Sequence, residues 1–173
     1  SGLNLVAPNT NFSALTDGIG GTEGAIQFVT SPVQSQLNKE LLKFSFVSPL
    51  PIDAIYIQKR DGTQLFGGNV MVQGSNNNTT WTDLMAAAAN PGNVSSVTVN
   101  GVLSLGFSNK LTLTTNLAAY KYYRIFGVAA ANTGAGIISE IYMDVNTALY
   151  QASLYPAATC AADIDNDTKL NHL

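Results

Sequence analysis

Apolar and polar residues alternate along this chain in short bursts. The clearest burst starts at Val70: Val70 and Val72 fall on one face, Met71 and Gln73 on the other. A period of two predicts a strand with one side buried. Gly74-Ser75-Asn76-Asn77-Asn78 then predicts a turn, because Gly and Asn accept positive φ and Asn can bond nearby backbone. Thr79 to Leu84 predicts a second strand carrying the only tryptophan, Trp81. Two strands, a polar turn and a large anchoring aromatic make a hairpin on which other strands can pack.

The same alternation recurs on both sides of this hairpin. Leu3 to Ala7 predicts an edge strand ended by a turn from Pro8 to Asn11, and Ala25 to Thr30 predicts another strand. Between them lies Thr16-Asp17-Gly18-Ile19-Gly20-Gly21-Thr22-Glu23-Gly24, whose glycines imply a backbone bent to wrap something. Gln34 to Leu42 fits a helical turn or a polar loop. Leu42, Phe44 and Phe46 share one face of a strand that ends at Ser48-Pro49-Leu50-Pro51, since proline cannot donate to a ladder. Ile52 to Lys59 alternates again, and Arg60-Asp61-Gly62 turns into a loop reaching Asn69. Val94 to Val102 is a strand with the hairpin signal Asn100-Gly101 near its end. Leu111 to Leu117, Tyr120 to Val128 and Ile137 to Val145 complete the set, Tyr120-Lys121-Tyr122-Tyr123-Arg124-Ile125-Phe126 being the most β-prone run. Short strands separated by Gly, Asn and Pro turns, with no long helix, predict an all-β sandwich or barrel.

Composition narrows the class. The chain has 173 residues, with 46% hydrophobic and only 11% charged. Asn, Thr, Ser and Gln supply the polarity, a mix that suits a β-rich extracellular module. Net charge is −3 and the sequence holds no basic cluster, which argues against a nucleic-acid partner and against an anionic membrane. A single cysteine, Cys160, leaves no internal disulfide. No apolar run has the length of a membrane span, and Ser1-Gly2 lacks a signal-peptide pattern and fits an internal boundary of a longer chain. Composition shifts after Val145, so residues 1–146 are assigned to the sandwich and residues 147–173 to a linker and an acidic tail.

In order, Thr16-Asp17-Gly18 with Thr22, then Pro51 to Gly62, then Val70 to Leu84, then Tyr120 to Val128, then Ile138-Ser139-Glu140-Ile141-Tyr142-Met143 form a spaced pattern. This pattern resembles the discoidin or coagulation-factor type C domain, the group that includes many galactose-binding-like carbohydrate-binding modules. The match covers roughly Leu3 to Val145. The resemblance implies an antiparallel jelly-roll β-sandwich of about eight strands, a structural calcium, and a ligand site on loops at one end. It also implies that Trp81 is a core anchor.

Calcium takes oxygen ligands from carboxylates, carbonyls and hydroxyls. In the resembled family a loop aspartate, a threonine five residues on and a glutamate near the last strand share the ion. These fall on Asp17, Thr22 and Glu140, with carbonyls of Ala14 and Ile19 completing the shell. Without the resemblance, Asp17-Gly18 would be a turn and Glu140 an exposed strand residue. The departure from the family pattern is Glu23-Gly24, where an aromatic often follows the threonine.

A sugar site needs polar groups for hydroxyls and an apolar face for ring C–H groups. The loops offer Lys59, Arg60, Asp61, Phe66 and Asn69, with Gln27 and Asn132 from two others. Arg60 and Asp61 would bond vicinal hydroxyls or form a solvated ion pair in a turn. Phe66 would be the platform or fold inward as a plug.

Catalysis is not expected. His172, the only histidine, lies in the tail, and Cys160 has no evident activating partner. Zinc would need more His or Cys, and no carboxylate pair is marked out for glycoside hydrolysis. The tail places Asp163, Asp165 and Asp167 at alternate positions and is similar to the start of a thrombospondin type 3-like calcium repeat, making these three residues weak metal candidates. The expected function is a non-catalytic, calcium-stabilised carbohydrate-binding module of a secreted or cell-surface multidomain protein, bacterial in type. The alternative is an adhesion domain for protein or phospholipid, and a glycoside hydrolase fragment is least favoured.

Overall fold

The computed structural model describes residues 5–10, 26–28, 35–59, 66, 69–89, 93–99, 102–129 and 137–154. Among them, the strands are β1 (Leu5–Thr10), β2 (Ile26–Phe28), β3 (Lys39–Lys59), β4 (Asn69–Ser75) and β5 (Thr82–Asp83). They continue with β6 (Ala88–Ala89), β7 (Asn93–Val99), β8 (Val102–Thr112), β9 (Ala119–Gly127) and β10 (Ile137–Val145), and helix α1 (Thr147–Leu154) follows.

β3 belongs to both layers of a sandwich. Its first half, Lys39 to Pro51, pairs with β9, which pairs with β4, and β4 carries β5 and β6. Its second half lies between β10 and β8, with β2 and β1 beyond β10 and β7 beyond β8. Every pairing is antiparallel. The crossing is where the prolines stand. Ser45 pairs with Tyr122 and Leu50 with Tyr120, so β3 carries three extra residues there. Pro49 and Pro51 cannot donate to a ladder, and the corner pushes Val47 out to 97% exposure.

Alternation fills the space between the layers. Leu42, Val70, Val72, Tyr123 and Ile125 from one layer meet Ile55, Ile57, Leu111, Ile138 and Ile141 from the other in one core cluster. Phe44 and Phe46 pack against it from β3. At roughly 1.5–3 kcal/mol for each large apolar side chain taken from water, this cluster is the main favourable term in the fold. Tyr123 is fully buried, with Phe46 and Tyr120 edge-on to its ring at centroid distances of 6.0 and 5.9 Å. Its hydroxyl donates to the Leu50 carbonyl at the strand corner.

Burial pushes the Tyr123 pKa up to about 12. An unfolded chain ionises its tyrosines near pH 10, so between roughly pH 10 and 12 the unfolded state binds fewer protons than the native one. Stability is therefore expected to fall as pH rises through that window, by on the order of 2 kcal/mol at its upper end. Urea unfolding at pH 9 and pH 11.5 checks this. Tyr123→Phe should lose less stability than wild type between the two values, and an equal loss would remove the assignment.

The organising turn is as the residues predict, but the hairpin's second arm is shorter. Ser75 Oγ accepts from the amides of Asn77 and Asn78 at 3.3 and 2.9 Å, and Asn77 Oδ1 accepts from those of Thr79 and Thr80 at 3.0 and 2.8 Å. Asn78 sits at φ 60°. These bonds keep the chain in the turn through Thr80, leaving only Thr82–Asp83 as strand. Three other boundaries shift. β1 runs through Pro8 to Thr10, which an edge strand permits. The strand expected to reach Leu117 stops at Thr112, where the Leu113 and Thr114 amides turn to the carbonyls of Asp53 and Leu84. Residues 147–154, read as linker, form α1. Val99 pairs with Val102 around Asn100-Gly101, as the hairpin signal predicts. Ile137–Val145 is a strand throughout.

Candidate functional site

The strand pairings give the sandwich two distinct ends. Gly127 pairs with both Lys39 and Val70, and the Val128 amide donates to the Asn69 carbonyl at 3.0 Å. In the other layer Lys59 pairs with Ile138 and Gln27 with Ile137. The strand ends that flank residues 60–68 and 130–136 therefore lie at one end. The corner at Pro51, the Ser75–Thr80 turn and Asn146 lie at the other.

The expected ligand residues divide accordingly. Arg60, Asp61 and Asn132 lie outside the described residues. Gln27 and Asn69 are half-buried at this end, beside strand partners. Phe66 is 1% exposed and belongs to the main core. An exposed platform at Phe66 is thus corrected to the inward plug, because the ring gains more from the apolar interior than it would from water. Lys59 is 3% exposed and also belongs to the interior rather than to the surface of this end.

A group that alternation alone did not single out lies just beneath. Gln58, Lys59, Asn109, Ser139 and Glu140 are all buried polar or charged residues. They sit on neighbouring strands: Glu140 pairs with Gln58, Ile57 with Asn109, and Ser139 Oγ donates to the Gln58 carbonyl at 3.3 Å. The usable signal is Ser139-Glu140 flanked on both sides by isoleucine. Glu140 is 1% exposed, so it is not the exposed strand residue that its sequence alone would permit. A buried carboxylate is costly and is kept where a cation or several donors compensate it. Two residues before it, Ile138 pairs with Ile26, where the described chain resumes after the glycine-rich loop. Carboxyl oxygens are of the donor type that calcium takes. Asp17, Thr22, Ala14 and Ile19 lie outside the described residues, as do Asp163, Asp165 and Asp167. Among the described residues no three His, Cys, Asp or Glu side chains group together.

Trp81 is the second correction. It is half-buried and lies outside the core cluster. The Arg124 guanidinium lies 4.0 Å from its ring centroid and 4.4 Å from that of Phe126. Arg124 is also fixed edgewise: Nε donates to Gln73 Oε1 at 2.8 Å, Gln73 Nε2 donates to Asp83 Oδ1 at 2.7 Å, and Glu40 lies 3.6 Å from the guanidinium. β3, β9, β4 and β5 are thus tied across one outer face by a row of side chains. Because the ring stacks on a cation instead of filling the core, Trp81→Ala should cost about 1–2 kcal/mol rather than the roughly 3–5 kcal/mol of a core tryptophan. Urea denaturation of Trp81→Ala, Arg124→Ala and the double variant measures this. A single-variant loss at the core magnitude, or zero coupling in the cycle, would restore the core reading.

On the opposite outer face the Tyr56 hydroxyl donates to Asp144 Oδ2 at 2.9 Å, with Lys110 Nζ 5.2 Å from the ring centroid. Burial first, and then the Asp144 bond, raise the Tyr56 pKa above its ordinary value.

Among solved structures, the chain is similar to CBM32-1 from a family 31 glycoside hydrolase from Clostridium perfringens. The two share 12% identity with a TM-score of 0.51, over 82% of this chain and 89% of that one. A second similar structure, CpGH89CBM32-6 produced by Clostridium perfringens, aligns at 17% identity and a TM-score of 0.46, over 83% and 91% of the two chains. No family model and no curated protein matches the sequence. The fold is the antiparallel β-sandwich that the sequence pattern led one to expect.

Proposed function

We propose that this chain is a non-catalytic carbohydrate-binding module, stabilised by calcium and belonging to a secreted or cell-surface multidomain protein. The observation that carries the reading is the sandwich shared with CBM32-1, in a chain whose strand pairings bring the flanks of residues 60–68 and 130–136 to one end. Loops borne on paired strands suit reversible recognition, because the scaffold fixes their bases while their tips stay free to vary. Arg60, Asp61 and Asn132 supply hydrogen bonds to sugar hydroxyls, with Gln27 and Asn69 at the base of the same end. With Phe66 in the core, the apolar surface of the site has to come from elsewhere at this end.

Calcium, where bound, would be held by Glu140 with Asp17, Thr22 and the carbonyls of Ala14 and Ile19. Its contribution is structural, tying the glycine-rich loop to β10. No helix among the described residues is long and apolar enough to cross a membrane. A phospholipid-docking reading would need an apolar tip at the loop end. Val47, 97% exposed, stands at the opposite end.

Calorimetric titration with a glycan retained by wild type tests the site. Arg60→Ala is expected to weaken binding about tenfold or more, as loss of a charge-assisted hydrogen bond does. Unchanged affinity would remove Arg60 from the site.

A further inference from the structure

We infer that Asn146 is a lock that fixes the direction in which helix α1 leaves the sandwich, at the end opposite the ligand loops. α1 has eight residues, with no acidic side chain in its first turn and no basic one in its last. A helix that short is marginal in water without outside support. Residues 147–151 are exposed, Leu149 and Tyr150 at 38% each, so packing on the sandwich is partial and a support at the helix start matters. Asn146 supplies it. Its Oδ1 accepts from the Leu149 amide at 2.9 Å, the N-cap bond, and its carbonyl accepts from the Tyr150 amide at 2.9 Å.

The same residue is held by the sandwich. Its backbone amide donates to the Pro51 carbonyl at 3.0 Å, and its Nδ2 donates to Asp53 Oδ1 at 2.9 Å. Pro51 and Asp53 lie on β3 beside the layer crossing, and the Leu113 amide donates to the Asp53 carbonyl at 2.8 Å. One side chain thus caps the helix with its oxygen and grips β3 with its nitrogen. An aspartate would cap as well but has no proton for Asp53, and a serine has only a single short-armed oxygen to serve both partners. The consequence is a stiff stem in place of a swivel: α1 keeps a fixed bearing on the sandwich. This inference does not depend on what the loop end binds.

Spin labels at Ser45→Cys and Gln151→Cys, in a Cys160→Ser background, read the lock as a distance distribution. Wild type is expected to give one narrow distribution. Asn146→Ala should broaden it and raise exchange of the Leu149 amide about fivefold, as loss of an asparagine cap does. Asn146→Asp keeps the cap oxygen but sets two carboxylates face to face, so it too should broaden the distribution. Adding Asp53→Asn to Asn146→Asp restores a donor–acceptor pair with its direction reversed and should narrow the distribution again. A melting temperature within about a degree or two of wild type in each variant separates a loose stem from a damaged sandwich. A broad distribution in wild type, an unchanged one in Asn146→Ala, or no recovery in the double variant would overturn the inference.

Discussion

Replacing Gly127 with alanine is expected to destabilise the sandwich by more than about 3 kcal/mol, the upper range for overpacking a core. A Cβ at this position would overlap the Gln36 carbonyl oxygen and lie 2.8 Å from its carbon. These are backbone atoms, and they are pinned: the Lys39 amide donates to that Gln36 carbonyl at 3.0 Å, and the Asn38 amide to the Gly127 carbonyl at 2.9 Å. Neither strand can yield without breaking the start of the β3–β9 ladder. Gly74→Ala offers a scale. Its Cβ would meet Cγ and Cδ2 of the Tyr120 ring at 2.6 Å, a clash with a side chain instead of pinned backbone. Urea midpoints for the two variants should differ, with Gly127→Ala the more damaging. Equal, small losses would show that the loop end is looser than the close approach implies.

Chelation is expected to lower the melting temperature of wild type by about 5–10 °C relative to millimolar calcium. An ion bound only by the native state, at a hundredfold excess over its dissociation constant, stabilises by about 2.7 kcal/mol. Each kcal/mol moves the transition of a domain this size by roughly 2–4 °C. Glu140→Gln keeps the shape of the buried side chain and removes its charge. Its melting temperature should be the same in EDTA and in calcium. Calorimetry in both buffers reads the difference. If wild type shows no shift, the calcium proposal fails while the fold and the glycan reading stand. If Glu140→Gln retains the full shift, the ion is held elsewhere.

Much of the frame was legible because it is written in local pattern. Val70 to Gln73 alternates in sequence and in burial, Asn100-Gly101 marks the β7–β8 hairpin, and the prolines at 49 and 51 mark where β3 changes layers. What failed depends on partners far away in the chain. Trp81 reads as a core anchor through the family resemblance and its place in the hairpin. Its actual partner, Arg124, comes from β9, and nothing near Trp81 announces it. Phe66 sits among polar loop residues, and only the packed core shows that it turns inward. α1 was missed because Thr147–Leu154 is short and weakly patterned, and its support comes from Asn146 bonded back to β3. Gln36 is fully buried, with both side-chain polar atoms unbonded among the described residues, and no sequence rule foresees that. For the site, the burial of Glu140 beside Gln58 is not legible in the residues, because it depends on strands that are distant in the chain.

The most direct test of the central claim is a glycan array probed with the purified chain, in calcium and in EDTA. The expected result is retention on a restricted set of glycans in calcium, reduced by EDTA and by Arg60→Ala, with no change in the glycans themselves. Retention on no glycan by a correctly folded chain in calcium, or cleavage of a retained one, would contradict it.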